Sequence, residues 1–415
     1  MSRTGQLAIG LVNQCLVSLG SLVLLIVAAR SFPSAELGTF SIGLLTVQVG
    51  IVVVRSFSGE ALIVMEARSP GDIADDCRYC LQFSATTCIP IAALGILGVV
   101  FGDGVVQAVC AAFITLPGVA VQDALRHVLL RRGKVGTASA IDAVVVFAQV
   151  VLLAFGVNAG MQPWILVLLI GVPAYVVVVI RSLRDRSGFS LEGSRRWRSR
   201  SKHLADGMAF EAILGALVQW LTLLAVAHFA SLAEAAAFRA VITIYGVTNV
   251  VTNFLRSHYL AYMARSIRVG ARELVCSSVE MSVLTVVTVL VSFGVLSWLP
   301  DDIGYQLLGA TWALAVPYIG LGALSRLSAG LTTVPTVILR VLRAPWRAAT
   351  ARVVLSIVTL AVAPAAVVTG GAEAGFAALS VMSLVMVLVL SVLACGEFRR
   401  VYMALVREDA CEDGN

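Results

Sequence analysis

The residues of this chain that could do chemistry are charged side chains set inside or at the edges of long apolar runs. Arg326 has apolar sequence on both sides, and Asp142 and Glu211 each interrupt an apolar stretch. Asp123 and Arg126 lie one helical turn apart, a spacing that predicts a local ion pair. Arg55 and Glu60 close one apolar run, while Arg30 ends another and Arg239 opens a third. Charges in hydrocarbon are costly, and they face a bundle interior, a water-filled cavity or one another. Near the ends of a run the alternative is snorkelling to the headgroups, which applies most to Arg30, Arg55 and Arg239. The chemistry of the arginines is anion binding, because a planar guanidinium fork can take two phosphate oxygens at once. The carboxylates Asp123, Asp142, Glu211 and Glu60 suit ion coupling or charge balance.

Other chemistries lack their residues. The sequence has no Gly-x-x-x-x-Gly-Lys-Ser/Thr phosphate loop and no His-Glu-x-x-His metal motif, and its four histidines are dispersed. Cys77 and Cys80 form a single Cys-x-x-Cys, too few ligands for a zinc site. No enzyme activity, cofactor or metal is expected. The net charge of +6 calls for no nucleic-acid partner, since basic loops facing anionic lipid headgroups account for it.

The elements that position these charges are membrane helices. Hydrophobic residues make up 59% of the chain and charged residues only 13%, more apolar surface than a soluble fold can bury. Apolar windows over 7–29, 37–57, 81–101, 105–125, 138–157, 164–180, 208–230, 235–255, 277–299, 307–331, 353–369 and 374–394 predict about twelve spans. Short connections such as Gly102-Asp103-Gly104 make neighbouring spans antiparallel hairpins. All of the 30 basic residues except Arg30, Arg239 and Arg326 fall in the tails and alternate loops, which places both termini in the cytoplasm.

Landmarks recur at an offset of about 200 residues. Ala35-Glu36 with Phe40 answers Ala233-Glu234 with Phe238, and Pro117 with Arg126 answers Pro317 with Arg326. The expected architecture is therefore an all-α polytopic membrane protein of two pseudo-symmetric six-helix bundles, residues 1–181 and 207–395. A basic cytoplasmic linker, 182–206, would join them, and 396–415 would form a cytoplasmic tail. Prolines inside spans, Pro117, Pro173, Pro317 and Pro364, permit bends.

The chain resembles the oligosaccharide and polysaccharide flippases of the multidrug/oligosaccharidyl-lipid/polysaccharide exporter superfamily, whose best-known members are the Wzx-type O-antigen flippases. Four segments carry the resemblance: Ala28-Ala29-Arg30 through Glu36-Leu37-Gly38-Thr39-Phe40, Arg55-Ser-Phe-Ser-Gly-Glu60, Gln122-Asp123-Ala-Leu-Arg126 leading into Arg131-Arg132-Gly133-Lys134, and Ala237-Phe238-Arg239-Ala240. Two departures stand out. The first span has Asn13 and Gln14 but no acidic residue, where drug-exporting relatives often carry a carboxylate. The second half has Ala235-Ala236 where the first has Leu37-Gly38.

The resemblance implies a V-shaped, MATE-like transporter of the bacterial inner membrane that alternates between inward- and outward-open states. Its substrate would be an oligosaccharide on a polyprenyl diphosphate, carried to the outer leaflet for polysaccharide biosynthesis. Arg30, Arg55, Arg126, Arg239 and Arg326 would then line a cationic path for the diphosphate, with Asp123, Asp142, Glu211 and Glu60 as coupling or balancing carboxylates. Membrane lipids, a polysaccharide polymerase and glycosyltransferases are the partners implied. Two alternatives stay open: a cation-coupled multidrug antiporter of the same superfamily, and a non-transporting scaffold of a polysaccharide-assembly complex.

Overall fold

The computed structural model describes residues 20, 22–65, 70–185, 190–266, 271–342 and 344–412, and these form helices with no strand among them. In chain order the helices begin with α1 (Leu22–Ser31), α2 (Ser34–Phe57), α3 (Gly59–Val64), α4 (Pro70–Phe101), α5 (Gly104–Arg131), α6 (Val135–Asn158) and α7 (Pro163–Asp185). After these come α8 (Leu191–Ala225), a π-helical turn Val226–Ala230, α9 (Leu232–Ile244), α10 (Gly246–Ser266) and α11 (Ala271–Ser297). The remainder are α12 (Asp301–Leu308), α13 (Thr311–Ala315), a 3-10 turn Val316–Tyr318, α14 (Ile319–Leu331), α15 (Thr333–Val341) and α16 (Pro345–Glu412).

Among the described residues 9 helical segments are long and apolar enough to cross a membrane, or 10 if the bent pair Leu232–Ile244 and Thr248–Arg256 counts as one span. Two facts account for the difference from the expected number. Most of the first window, 7–29, lies outside the described residues. The segment Trp346–Val401 also holds two of the expected spans, because α16 is broken at Gly370 and Gly371. Gly371 has φ of 67°, a left-handed conformation that glycine adopts without a Cβ clash. Ala348 shares a core cluster with Leu390 and Ala394, residues that a straight helix would carry about 60 Å apart. The chain therefore turns back at the glycine pair, and windows 353–369 and 374–394 form a hairpin.

The contacts define two compact units, one of Met1–Thr243 with Asp301–Ala315, the other of Ile244–Pro300 with Val316–Asn415. In the first, α5 packs against α2, α4 and α7, and α2 also packs against α8. Close approach relies on small residues, as is common between membrane helices. Gly38 is the tightest case against backbone: a Cβ there would lie 2.0 Å from the Leu232 carbonyl oxygen. Outward faces are apolar, with Phe101 84% and Phe147 72% exposed, surface that suits lipid tails rather than water.

The expected linker over 182–206 takes another form. Leu191–Ala225 is one helix, capped by Ser190 and continuous from the basic stretch into a span. A side chain explains this. Trp197 is fully buried with Cys77, Cys80 and Phe83, and its indole donates to the Phe57 carbonyl at 2.9 Å, at the break between α2 and α3. Arg200 reaches Asp76 at 2.6 Å and Asp72 at 3.5 Å on α4, and Arg196 donates to the Tyr79 hydroxyl at 3.3 Å. Facing its own carboxylates, the Arg200 guanidinium is held above its usual pKa, first by the Asp76 hydrogen bond and then by that charge. The basic segment is thus a packed helix face of the first unit. By its contacts the first unit runs on to Thr243 and takes in Asp301–Ala315.

In the second unit, α14 packs against α10, α11 and α16. These are the counterparts, at an offset of about 200 residues, of the helices around α5. A cross-helix polar contact recurs as well. The Tyr175 hydroxyl on α7 donates to the Ile114 carbonyl on α5, and the Ser380 hydroxyl on α16, which donates to the Phe376 carbonyl of its own helix at 2.9 Å, lies 3.4 Å from the Leu321 carbonyl on α14. The two prolines expected to correspond differ locally. Pro117 sits within a continuous α5, whereas Pro317 lies in the 3-10 turn that precedes α14.

Candidate functional site

The first unit gathers charges from α2, α5 and α6. On α5, residues three and four apart share a side of the helix, so Gln122, Asp123, Arg126 and His127 present two adjoining polar faces. One face meets α2: Arg55 grips Asp123 with both ends of its fork, Nε at 2.9 Å from Oδ2 and Nη2 at 2.7 Å from Oδ1. The other meets α6, where Gln122 donates to Asp142 Oδ1 at 3.1 Å. Arg126 Nε stands 3.2 Å from Asp142 Oδ2 without in-line hydrogen-bond geometry, an ion pair by proximity. The expected Asp123–Arg126 pair is therefore replaced by two cross-helix pairs, because the α5 residues diverge toward different neighbours.

His127 completes the cluster. Its Nδ1 lies 2.8 Å from the Asp123 carbonyl, to which it donates, and 3.6 Å from the Asp123 carboxylate. Its ring packs against Gly59 at the start of α3. Glu60 sits in the first turn of α3, beside the cluster but with no salt bridge among the described residues. The cluster is charge-balanced in Arg55, Arg126, Asp123 and Asp142. It is mostly shielded: the Asp123 and Asp142 side chains are 10% and 5% exposed, whereas Arg55 keeps 31%.

The other expected arginines stand apart from it. Arg239, on the buried Ala235–Val241 stretch of α9, donates to the Gln48 side-chain oxygen on α2. Two residues earlier on α2, Thr46 accepts from the Trp220 indole of α8 at 2.9 Å. Arg30 ends α1 and donates to the Gln306 carbonyl on α12, fastening two helix ends rather than joining the cluster. Arg326, in the second unit, donates to Asn249 Oδ1 on α10 at 3.2 Å. Glu211 lies on α8, its side chain outside the described residues. Cys77 and Cys80 are core residues beneath Trp197.

Residues that the sequence reading did not place in a site are Gln48, His127, Asn249 and Gln122, the last quoted only within a resemblance segment. Neutral amides in apolar runs give no charge signal, and their one trace was the spacing of Gln48 and Asn249, about the same 200 residues as the other landmarks.

No family model matches the chain, and no curated protein is similar to it in sequence. Solved structures of like fold are transporters. An inward-facing multidrug resistance MATE family transporter of the MOP superfamily superposes with a TM-score of 0.66 at 13% identity, over 94% of this chain and 96% of that one. The lipid II flippase MurJ in an inward closed conformation gives 0.68 at 12% identity, over 94% and 89%. A MOP superfamily transporter from Pyrococcus furiosus gives 0.54 at 12%, over 95% and 94%. At these identities the likeness shows the fold alone, an all-helical architecture with several helices long and apolar enough to cross a membrane. It assigns no substrate.

Proposed function

We propose that this protein is a flippase that carries a polyprenyl-diphosphate-linked oligosaccharide across the membrane by alternating access, in polysaccharide biosynthesis. The observation that carries the reading is the setting of Arg239 and Arg326. Each lies in a membrane helix and donates to a side-chain amide oxygen, Gln48 and Asn249. An amide oxygen orients a guanidinium within its helix, and an oriented guanidinium fork matches the geometry of phosphate oxygens. Arg55, held by Asp123 yet 31% exposed, is a third candidate contact. The likeness in fold to a lipid II flippase supports the class.

A second reading, cation-coupled efflux, is favoured by the buried carboxylates Asp123 and Asp142 and by the MATE likeness. Against it, both carboxylates are already held by arginines.

The deciding experiment compares wild type, Arg326→Ala, Arg326→Lys and Asp142→Asn in vesicles. A fluorescent polyprenyl-diphosphate sugar reports flipping, and a cationic dye under a proton gradient reports efflux. Loss of one charge-assisted phosphate contact should weaken headgroup binding about tenfold or more. Arg326→Ala should therefore abolish flipping at normal protein levels, and Arg326→Lys should restore it in part. Undiminished flipping by Arg326→Ala would remove the arginine from the site. Dye efflux lost in Asp142→Asn would establish the second reading.

A further inference from the structure

The second unit carries a cavity that the transport reading does not use. It lies between α11, α15 and the second limb of α16, with a volume of about 500 Å³, inside the roughly 300–1,000 Å³ range of small-ligand sites. Its walls are apolar, Val275, Val279 and Val283 on one side and Val334, Pro335 and Ile338 on the other. The hydroxyls of Ser278 and Ser282, which also line it, donate to Leu274 and Ser278 carbonyls of their own helix at 2.7 and 2.8 Å. Neither needs a polar ligand. Polarity is concentrated at one end, where Arg399 lines the groove and is exposed. The nearby carboxylate of Glu397 is engaged by Arg347 and Arg400.

The dimensions point to one occupant. Leu274–Val283 on α11 and Ser391–Arg399 on α16 each rise about 12–14 Å along their helix axes. One leaflet of hydrocarbon is half of roughly 30 Å, or about 15 Å. An apolar slot one leaflet long, with a guanidinium at its mouth, matches an acyl chain whose headgroup is an anion.

We infer that this groove is a binding site for an anionic phospholipid of the bilayer, one acyl chain lying between α11, α15 and α16 and the headgroup phosphate on Arg399. The site is independent of what the protein transports. Arg399 discriminates: a zwitterionic lipid brings its own cation to the phosphate, whereas a phosphatidylglycerol offers a net negative charge.

The cysteines supply a readout. Cys395 lines the groove and Cys276 does not, yet both are exposed free thiols. In the full-length protein in detergent, added phosphatidylglycerol should slow maleimide labelling of Cys395 and leave Cys276 unchanged, while phosphatidylcholine should protect about tenfold more weakly. Arg399→Ala should erase that preference, and Arg195→Ala, an exposed cation elsewhere, should keep it. Val279→Trp should abolish protection by filling the groove. If it fails to fold, native mass spectrometry of phosphatidylglycerol retained by Arg399→Ala against wild type decides alone. Equal protection of both cysteines, equal protection by both lipids, or protection of Cys395 only as the protein dimerises would each overturn the site.

Discussion

Cutting the Arg55–Asp123 pair from its two sides should give unequal damage. Arg55→Ala leaves the Asp123 carboxylate, 10% exposed, without its bidentate partner and with only the His127 ring nitrogen 3.6 Å away. Leaving one member of a buried pair costs about 3–5 kcal/mol. Asp123→Asn instead leaves a guanidinium that keeps 31% exposure and can still bond the amide oxygen, so its cost falls to about 1–2 kcal/mol. Combining Arg55→Ala with Asp123→Asn removes the stranded charge, and the double-mutant cycle should return a coupling of about 1–3 kcal/mol. The assay is the unfolding free energy of purified protein in mixed micelles titrated with a denaturing detergent, for wild type, both single variants and the pair. Strict additivity, or Asp123→Asn costing more than Arg55→Ala, would refute the reasoning, because the pair would then not be the dominant partner of either residue.

Two further substitutions probe the first unit. Trp197→Ala should destabilise it by about 3–5 kcal/mol and expose Cys77 and Cys80 to thiol reagents, measured by the denaturant midpoint and labelling rate; unchanged labelling would separate the tryptophan from that core. Gly38→Ala drives a methyl into the Leu232 carbonyl and should cost about 1–3 kcal/mol or more, whereas Gly136→Ala, with open space around its Cβ position, should raise stability slightly.

Spans were legible because their signal is long: twenty apolar residues in a row admit one physical solution in lipid. The two limbs of α16 were legible for the same reason, with a glycine pair between them. The packing of the basic stretch over 195–202 was not legible, because arginines report topology whether their helix lies in water or packs on a neighbour. Trp197, one aromatic among the arginines, was the residue that distinguished the two cases. Within the candidate site, charge in apolar sequence located Arg55, Asp123, Arg126 and Asp142, yet partner choice depended on helix rotation. That rotation sends Asp123 toward α2 and Arg126 toward α6. Gln48 and Asn249 carry no such signal, although each orients an arginine.

The continuity of α8 makes the spacing of its side chains a matter of angular phase. Its 35 residues form a rod about 52 Å long, with Trp197 seated near one end and Trp220 near the other. Each residue advances the helix by about 100°, so inserting or deleting one between the two tryptophans would turn one of them out of its seat. A basic loop would absorb such a change in length without consequence. Here a shift of one residue between Trp197 and Trp220 should cost more than replacement of an exposed side chain between them, such as Lys202 or Phe210.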